Sequence, residues 1–492
     1  IIAMANLIVA KSYFAFFLNW EFMTIAAYLL ISRGKHSRKA ALTFITFSLA
    51  GAYLMLAGFG FASAISTEIA IVNFITLTHL PLTAIILLTL GFLIKVAALG
   101  FHIWIPGAYA EAEDDVTPFF SSLFSKTGVL GIILTGFLFL NHYGDYNIFF
   151  WIGWLGTFSA LIGAFLAAFQ EDAKKLLAYS GMSQIGYIVA SIGLLNHLGW
   201  VSALYLTFNH FLFKAMIFIA IAGVIHRTQT RKMYEMGGLI KKMPFSFIAV
   251  LIGIIAVSGV PPLSGFGSKW LLYNAFLTKG WYFQAGILFF ASAVSFLYLY
   301  RLIHTIFLGQ LKYEHQNIKE APLVYLVPQF IFMMGIMAIS MFPNLIIKPL
   351  SAIAGQYFDT SLMIDNYNIF SELGYWNGNL IMMITMGVFA VPLIFLIIFN
   401  GKMQKVKQFN IVYAAERPES PQTTHVAHNM YAHYKKALGK LTLPRIKQFW
   451  NNVHEASHSL SDKIRHLYTG NGQTYILHIL IYIVVFYLLM GV

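Results

Sequence analysis

The chain has 492 residues, of which 59% are hydrophobic and only 10% are Asp, Glu, Lys or Arg. Soluble proteins carry roughly 25% charged residues, so this composition excludes a water-soluble fold. The net charge of +13 does not point to nucleic acid, because the basic residues sit in loops between apolar runs, as cytoplasmic loops do.

The first ten residues read as the end of an apolar helix, so further helices are expected before Ile1. About twelve complete spans follow, each near the length needed to cross a bilayer. They are expected at 12–31, 40–64, 81–106, 117–141, 148–169, 176–195, 199–225, 245–276, 282–308, 322–348, 379–400 and 473–491. The fold class is therefore all-α and polytopic. The run 245–276 is too long for one straight crossing and should break at Ser258-Gly259-Val260-Pro261-Pro262-Leu263-Ser264-Gly265.

Alternate loops carry the basic clusters: Arg33, Lys35, Arg38 and Lys39; Lys174 and Lys175; Arg227, Arg231, Lys232, Lys241 and Lys242; Lys312 and Lys319. By the positive-inside rule this side is cytoplasmic. The intervening loops are short or weakly acidic, with Asp145, Asp359, Asp365 and Glu372. One loop on the basic side disagrees in sign, with Glu111, Glu113, Asp114 and Asp115. The polar segment 401–470 is also basic. Its apolar positions Ile446, Phe449, Trp450, Val453, Leu460, Ile464 and Leu467 fit an amphipathic helix on the surface of a membrane or of another protein chain; the alternative is a solvated linker.

Ionisable residues inside spans are costly, at least roughly 2.5–3.5 kcal/mol each on insertion scales. Glu21 and Lys95 are mid-span and opposite in sign, which suits a pair whose proton balance can shift. Lys126 is read as a relay member or as a structural lysine on a carbonyl. His210 and Lys214 are four apart and share a helix face; His210 is a proton carrier or a helix-packing histidine. Lys269 follows the Pro-Pro break. Arg301 and His304 are read as snorkelling to the interface. A row of such groups is a proton relay in principle.

Lys95 and Lys269 each accompany a Gly/Pro interruption, at Pro106 and Gly107 and at Gly259, Pro261, Pro262 and Gly265. Paired broken helices point to inverted repeats. The expected division is a first five-helix repeat at 1–141, a second at 148–308, additional transmembrane helices at 322–400, the amphipathic segment 401–470 on the cytoplasmic side, and a last span at 473–491.

Several stretches, in order, resemble the antiporter-like subunits shared by respiratory complex I, group 4 membrane-bound hydrogenases and multisubunit Mrp cation/proton antiporters. They are Asn19-Trp20-Glu21-Phe22-Met23, Phe101-His102-Ile103-Trp104-Ile105-Pro106-Gly107-Ala108, Ser125-Lys126-Thr127-Gly128-Val129, the run from Lys174 to Tyr187, Asn209-His210-Phe211-Leu212-Phe213-Lys214-Ala215, and Ser258 to Phe266. The resemblance covers about residues 1–310 and implies roles. Glu21 pairs with Lys95, Lys126 relays protons to the centre, His210 and Lys214 lie on a central hydrophilic axis, and Lys269 serves the exit side. It also makes 401–470 a lateral helix and 473–491 its anchor. The acidic turn departs from the family pattern and is expected to contact a neighbouring subunit or attract cations.

The implied function is proton translocation in the membrane arm of a redox-driven pump, complex I-like or hydrogenase-like, in an energy-converting inner or cytoplasmic membrane. A structural scaffold and a component of a Na+/H+ antiporter are the alternatives. The chain lacks cysteine, which excludes thiolate-ligated clusters within it, and no metal or cofactor site is expected. Iron–sulfur clusters belong to a peripheral redox partner beside other membrane-arm subunits, the ion is a proton with Na+ as the alternative, and nucleic acid is no partner.

Overall fold

The structure is a computed structural model that describes residues 1–64, 80–144, 148–309, 311–360, 362–365, 367–398, 430–434, 436–437, 444–465 and 472–489. Residues 1–432 form one compact unit and 433–492 a second.

The first unit is a helical assembly turned inside out relative to a soluble protein. Its outer faces are apolar: Phe14, Phe22 and Leu29 on α2 (Tyr13–Ser32), and Phe283 and Phe289 on α13 (Tyr282–Phe307), are exposed. Lys95, His210, Lys214 and Lys269 are buried instead. Among the described residues, seven helices are long and apolar enough to cross a bilayer: Tyr13–Ser32, α3 (Arg38–Ser63), Thr117–Tyr143, Ile148–Ala168, His197–Thr228, Tyr282–Phe307 and Leu323–Met341. The chain is an integral membrane protein.

Helix ends follow local chemistry. Ser12 caps α2 by accepting from the Ala15 N–H, Asp172 caps α9 (Ala173–Ile192) at Lys174 and Lys175, and Asn196 caps α10 (His197–Thr228) at Gly199. At 32 residues, α10 is about 48 Å long, well beyond a hydrocarbon core of about 30 Å. It is buried along most of its length and packs against α9, α11 (Pro244–Ser258), α12 (Ser264–Thr278), α14 (Leu323–Met341) and α15 (Asn344–Ala354).

The run 81–106 is divided into α4 (Leu82–Lys95) and α5 (Trp104–Glu111), and 245–276 into α11 and α12. The stretch 322–348, expected as one span, is two helices. Phe342 leaves helical geometry (φ −125°, ψ 65°) because the following Pro343 disfavours the α region for the residue before it.

The addition to the helical reading is a three-stranded antiparallel sheet, β1 (Ile364–Asp365), β2 (Asn368–Ser371) and β3 (Gly374–Asn377). Ile369 pairs with Trp376, and both are buried. The Trp376 indole fills the space at Gly267, where a Cβ would come within 2.0 Å of the ring.

Among the described residues, α8 (Ile148–Ala168) and α9 pack against each other along much of their length. A Cβ on Gly156 would lie 2.3 Å from the Ala190 nitrogen, and one on Gly186 would lie 2.3 Å from that of Ala160. Small residues let two backbones meet in lipid, where packing rather than the hydrophobic effect joins helices. Gly156→Val is therefore expected to destabilise the fold by about 3 kcal/mol, the upper end of ordinary overpacking. The comparison is the thermal midpoint in detergent against Gly60→Ala, a position with open space around it. Equal midpoints would mean that α8 and α9 part at little cost.

In the second unit, α17 (Pro444–Arg465) carries Phe449, Val453, Leu460 and Ile464 at helical spacing, all exposed. Residues 401–429, 438–443 and 466–471, with Leu467, lie outside the described residues, as does Asp145. The last described helix, α18 (Gly472–Leu489), is mostly apolar, with Gln473, Thr474 and His478 in its first half.

Candidate ion-translocation site

The first break is at Val96–Ile103. Ala97 and Gly100 take positive φ (54° and 97°), which ends α4 on Lys95. The Trp104 indole N–H donates to the Ile94 carbonyl at 3.2 Å, and the Ser159 hydroxyl accepts from the Leu99 N–H at 2.9 Å. The interruption is thus held from two sides. Pro106 and Gly107 lie after it, in the first turn of α5, where a missing proline N–H costs no helical hydrogen bond. They are not where the chain breaks.

The Lys95 ammonium donates to Thr24 Oγ1 at 3.2 Å and stands 3.9 Å from the Phe124 ring centre and 5.1 Å from that of Trp20. Cation–π contacts of this kind strengthen when desolvated. Glu21 lies on the same helix as Thr24, three residues before it, and is half-buried. Glu21 and Lys95 act on each other through space, but the ion pairs formed among the described residues do not include them. Glu21 Oε1 has no hydrogen-bond partner among the described residues.

Lys126 opens α7 (Lys126–Tyr143), directly after a π-helical turn at Phe120–Phe124. A π-bulge displaces carbonyls from the regular ladder, and the Lys126 ammonium takes one of them, Ser121 O, at 2.9 Å. It also contacts Ser125 Oγ at 3.2 Å and makes a close contact with His210 Nδ1. His210 and Lys214, one turn apart on α10, are fully buried. Lys214 donates to the Leu177 carbonyl at 2.8 Å and to Ser180 Oγ, both on α9. Lys126, His210 and Lys214 are therefore one cluster at the junction of α7, α9 and α10.

The second break is at Gly259–Leu263. Gly259 ends α11 in the left-handed region (φ 72°), and Pro261–Pro262 is a cis bond. Gly265 sits in the first turn of α12, where a Cβ would meet the Ala256 carbonyl oxygen at 1.7 Å; only glycine lets the two half-helices overlap so closely. Ending a helix leaves its last carbonyls unpaired. Lys269 collects two of them, Val257 O at 3.2 Å and Ser258 O at 2.9 Å, together with Ser292 Oγ at 2.7 Å. Both lysines at the breaks meet a hydroxyl and an aromatic ring, and Lys269 in addition takes two freed carbonyls.

The acidic turn pairs with the chain's own basic residues. Arg33 bonds Glu113 at 2.6 Å and Asp115 at 3.4 Å, Lys174 bonds Asp114 at 2.8 Å, and Arg231 bonds Glu111 at 3.3 Å. All four acids have a basic partner within the chain, and Glu113 and Asp115 stay 43% and 63% exposed. Arg301 does not snorkel: it is buried and donates to the Ala168 carbonyl at 2.6 Å, at the C-terminus of α8, where a cation is favoured.

The sequence reading missed Thr24, Ser180 and Ser292, which bond the three lysine ammoniums at the breaks and the centre. A signal for Ser180 was present, since Ser180, Ser183 and Gln184 place three uncharged polar residues close together within one span.

Two helices broken within the membrane, each delivering a lysine beside a central Lys–His–Lys cluster, define an antiporter-like membrane protein. The chain belongs to the family described as NADH:quinone oxidoreductase/Mrp antiporter, TM, which matches residues 10–295. It is 29% identical over 436 residues to a component of the Na(+)/H(+) antiporter of Alkalihalophilus pseudofirmus, covering 81% of this chain and 54% of that protein. It is 31% identical over 295 residues to hydrogenase-4 component B of Escherichia coli, covering 56% and 44%. The chain thus spans about half the length of these curated relatives. Among solved structures, it is similar to a chain of the membrane-bound sulfane sulfur reductase, an archaeal respiratory membrane complex, with TM-score 0.87 and 28% identity over 98% of this chain and 82% of that one.

Proposed function

We propose that this chain is the proton-translocating subunit of the membrane arm of a redox-driven ion pump. The observation that carries the reading is the row Lys95, then Lys126–His210–Lys214, then Lys269, buried except for the half-buried Lys126, each group at a helix irregularity or a helix junction. A scaffold would gain nothing from lysines whose burial costs at least roughly 2.5–3.5 kcal/mol apiece. The two five-helix segments around the breaks are read as inverted repeats at 1–141 and 148–308, with entry near Glu21 and Lys95 and exit near Lys269.

The basic loops are read as cytoplasmic, in an energy-converting inner membrane. Iron–sulfur clusters and electrons are assigned to partner subunits, and coupling reaches this chain through neighbours, with the exposed apolar face of α17 as a docking element. The likeness over nearly the whole chain to a respiratory complex favours this over a Na+/H+ antiporter. The latter stays as the second reading because of the similarity to the Alkalihalophilus antiporter component.

The test is proton uptake or release by the reconstituted parent complex, wild type against Lys95→Ala, after equal assembly is verified. Translocation is expected to fall at least about tenfold, some 1.4 kcal/mol on the barrier. Unchanged translocation would make the lysine structural and remove the basis for the roles given to Glu21, Lys126 and Lys269.

A further inference from the structure

The three-stranded sheet packs on the second half-helix, on the side away from its lysine. On α12, Gly267, Trp270 and Asn274 are spaced by three and four residues and share one face. Lys269 follows Gly267 by two residues, which turns it roughly 200° around the axis. Successive residues of a strand point to opposite faces, and in β3 the exposed Tyr375 points away from the buried Trp376. The Trp376 indole lies between α12 and α10, its centroid 6.3 Å from those of both Trp270 and Tyr205. Its cross-strand partner Ile369 is fully buried. At the sheet's turn, the Ser371 hydroxyl donates to Asn274 Oδ1 at 2.7 Å, across 97 positions of sequence.

The break at Gly259–Leu263 interrupts the helical ladder, so α11 does not by itself set the depth of α12. That depth decides what Lys269 reaches. Its bonds to Val257 O and Ser258 O are 3.2 and 2.9 Å long. Hydrogen bonds tolerate only a few tenths of an ångström, whereas a slip of one residue moves a helix about 1.5 Å. Two glycine hollows, on opposite sides of α12, take up its neighbours. At Gly265 it leans on α11, where a Cβ would meet the Ala256 carbonyl oxygen at 1.7 Å. At Gly267 a Cβ would lie 2.0, 2.2 and 2.6 Å from Cη2, Cζ2 and Cζ3 of Trp376. The N–H of Ser264, the first residue of α12, donates to Ser340 Oγ of α14 at 2.7 Å. Contacts at its start, in its first turn and two turns further on thus fix both the height and the tilt of the half-helix.

We propose that the sheet β1–β3 clamps the second half-helix, and that Trp376, seated in the hollow of Gly267, is the positioning residue that sets the depth at which α12 presents Lys269 to the freed carbonyls of α11. The inference rests on the translocation reading above and adds how the exit-side lysine is placed. Trp376 takes no part in proton transfer; it acts through Lys269. A sheet that merely covered the end of α12 would not need an indole inserted against the helix backbone two residues from that lysine.

The experiment uses the parent assembly in vesicles, with Gly267→Ala and Trp376→Phe singly and combined, and Lys95→Ala in parallel. Proton translocation is measured per assembled complex across a range of pH. Gly267→Ala drives a methyl into the indole and is expected to lower translocation at least about tenfold, with a displaced pH profile. Trp376→Phe leaves the hollow unfilled and is expected to assemble normally with a smaller loss and a displaced profile. Phenylalanine lacks the three distal atoms that the methyl would strike, so the combined variant refills the hollow. It is expected to translocate faster than either single variant and to regain the wild-type profile. A combined variant no faster than the slower single one would overturn the pairing of knob and hollow. Wild-type pH profiles in Trp376→Phe and the combined variant, with any loss following assembly alone, would make Trp376 a packing residue and overturn the clamp; this comparison holds even where Gly267→Ala does not assemble. Wild-type translocation by Lys95→Ala would instead remove the functional reading.

Discussion

Lys214→Met is expected to leave the protein folded and assembled while proton translocation falls at least about tenfold. The separation of the two effects follows from what Lys214 touches. Its ammonium donates to the Leu177 carbonyl and to Ser180 Oγ. Neither acceptor is orphaned when the lysine goes, because the Ser180 hydroxyl donates to the same Leu177 carbonyl at 2.9 Å. Methionine matches the unbranched stem and adapts to the gap, and removing a buried cation relieves a desolvation cost. A lysine placed there for structure would give the opposite pattern, with poor assembly and normal translocation per assembled complex. Detergent-stable yield and proton movement in vesicles, measured on one preparation, distinguish the two.

Asp114→Asn is expected to destabilise the first unit by about 3 kcal/mol, because it leaves a nearly buried ammonium without its counter-charge. The Lys174 side chain is only 5% exposed, and after the change it keeps the Ala112 carbonyl at 2.7 Å and at most a neutral amide oxygen from position 114, with no counter-charge. The neighbouring pair behaves differently. Arg33 and Glu113 are 50% and 43% exposed, so Arg33→Ala is expected to cost no more than about 1 kcal/mol. Thermal midpoints of the two variants in one detergent make the comparison. Equal midpoints would mean that the acidic turn does not bind the loop preceding α9 to the α5 end. With Arg231 bonding both Glu111 and Asp172, each at 3.3–3.4 Å, the turn joins three loops, those preceding α3, α9 and α11. These loops position Lys95, Lys214 and Lys269 only indirectly, so Asp114→Asn should lower stability before it lowers translocation per folded complex.

Lys95, Lys126, His210, Lys214 and Lys269 stand out in the sequence because an ion inside an apolar run has no cheap explanation. The same contrast marks the spans, and the helix boundaries fall within a few residues of the apolar runs wherever a cap such as Asp172 or Asn196 is present. Proline and glycine were less informative. At Pro261 and Pro262 they mark the break, but at Pro106 they open a helix, and the chain breaks upstream through positive φ at Ala97, a residue with no special signature.

What a lysine bonds is decided in three dimensions. Thr24 meets Lys95 across 71 positions, and Asp114 meets Lys174 across 60. Hydroxyls at such separations are common in any span and carry no charge to flag them. The acidic turn shows the same limit: its sign is plain in the sequence, but its partners lie on three different loops. Composition and burial cost determine which groups are functional candidates, because they are properties of one residue in one segment. The partners and the close approach of α8 to α9 depend on which helices pack together, and only the tertiary structure decides that.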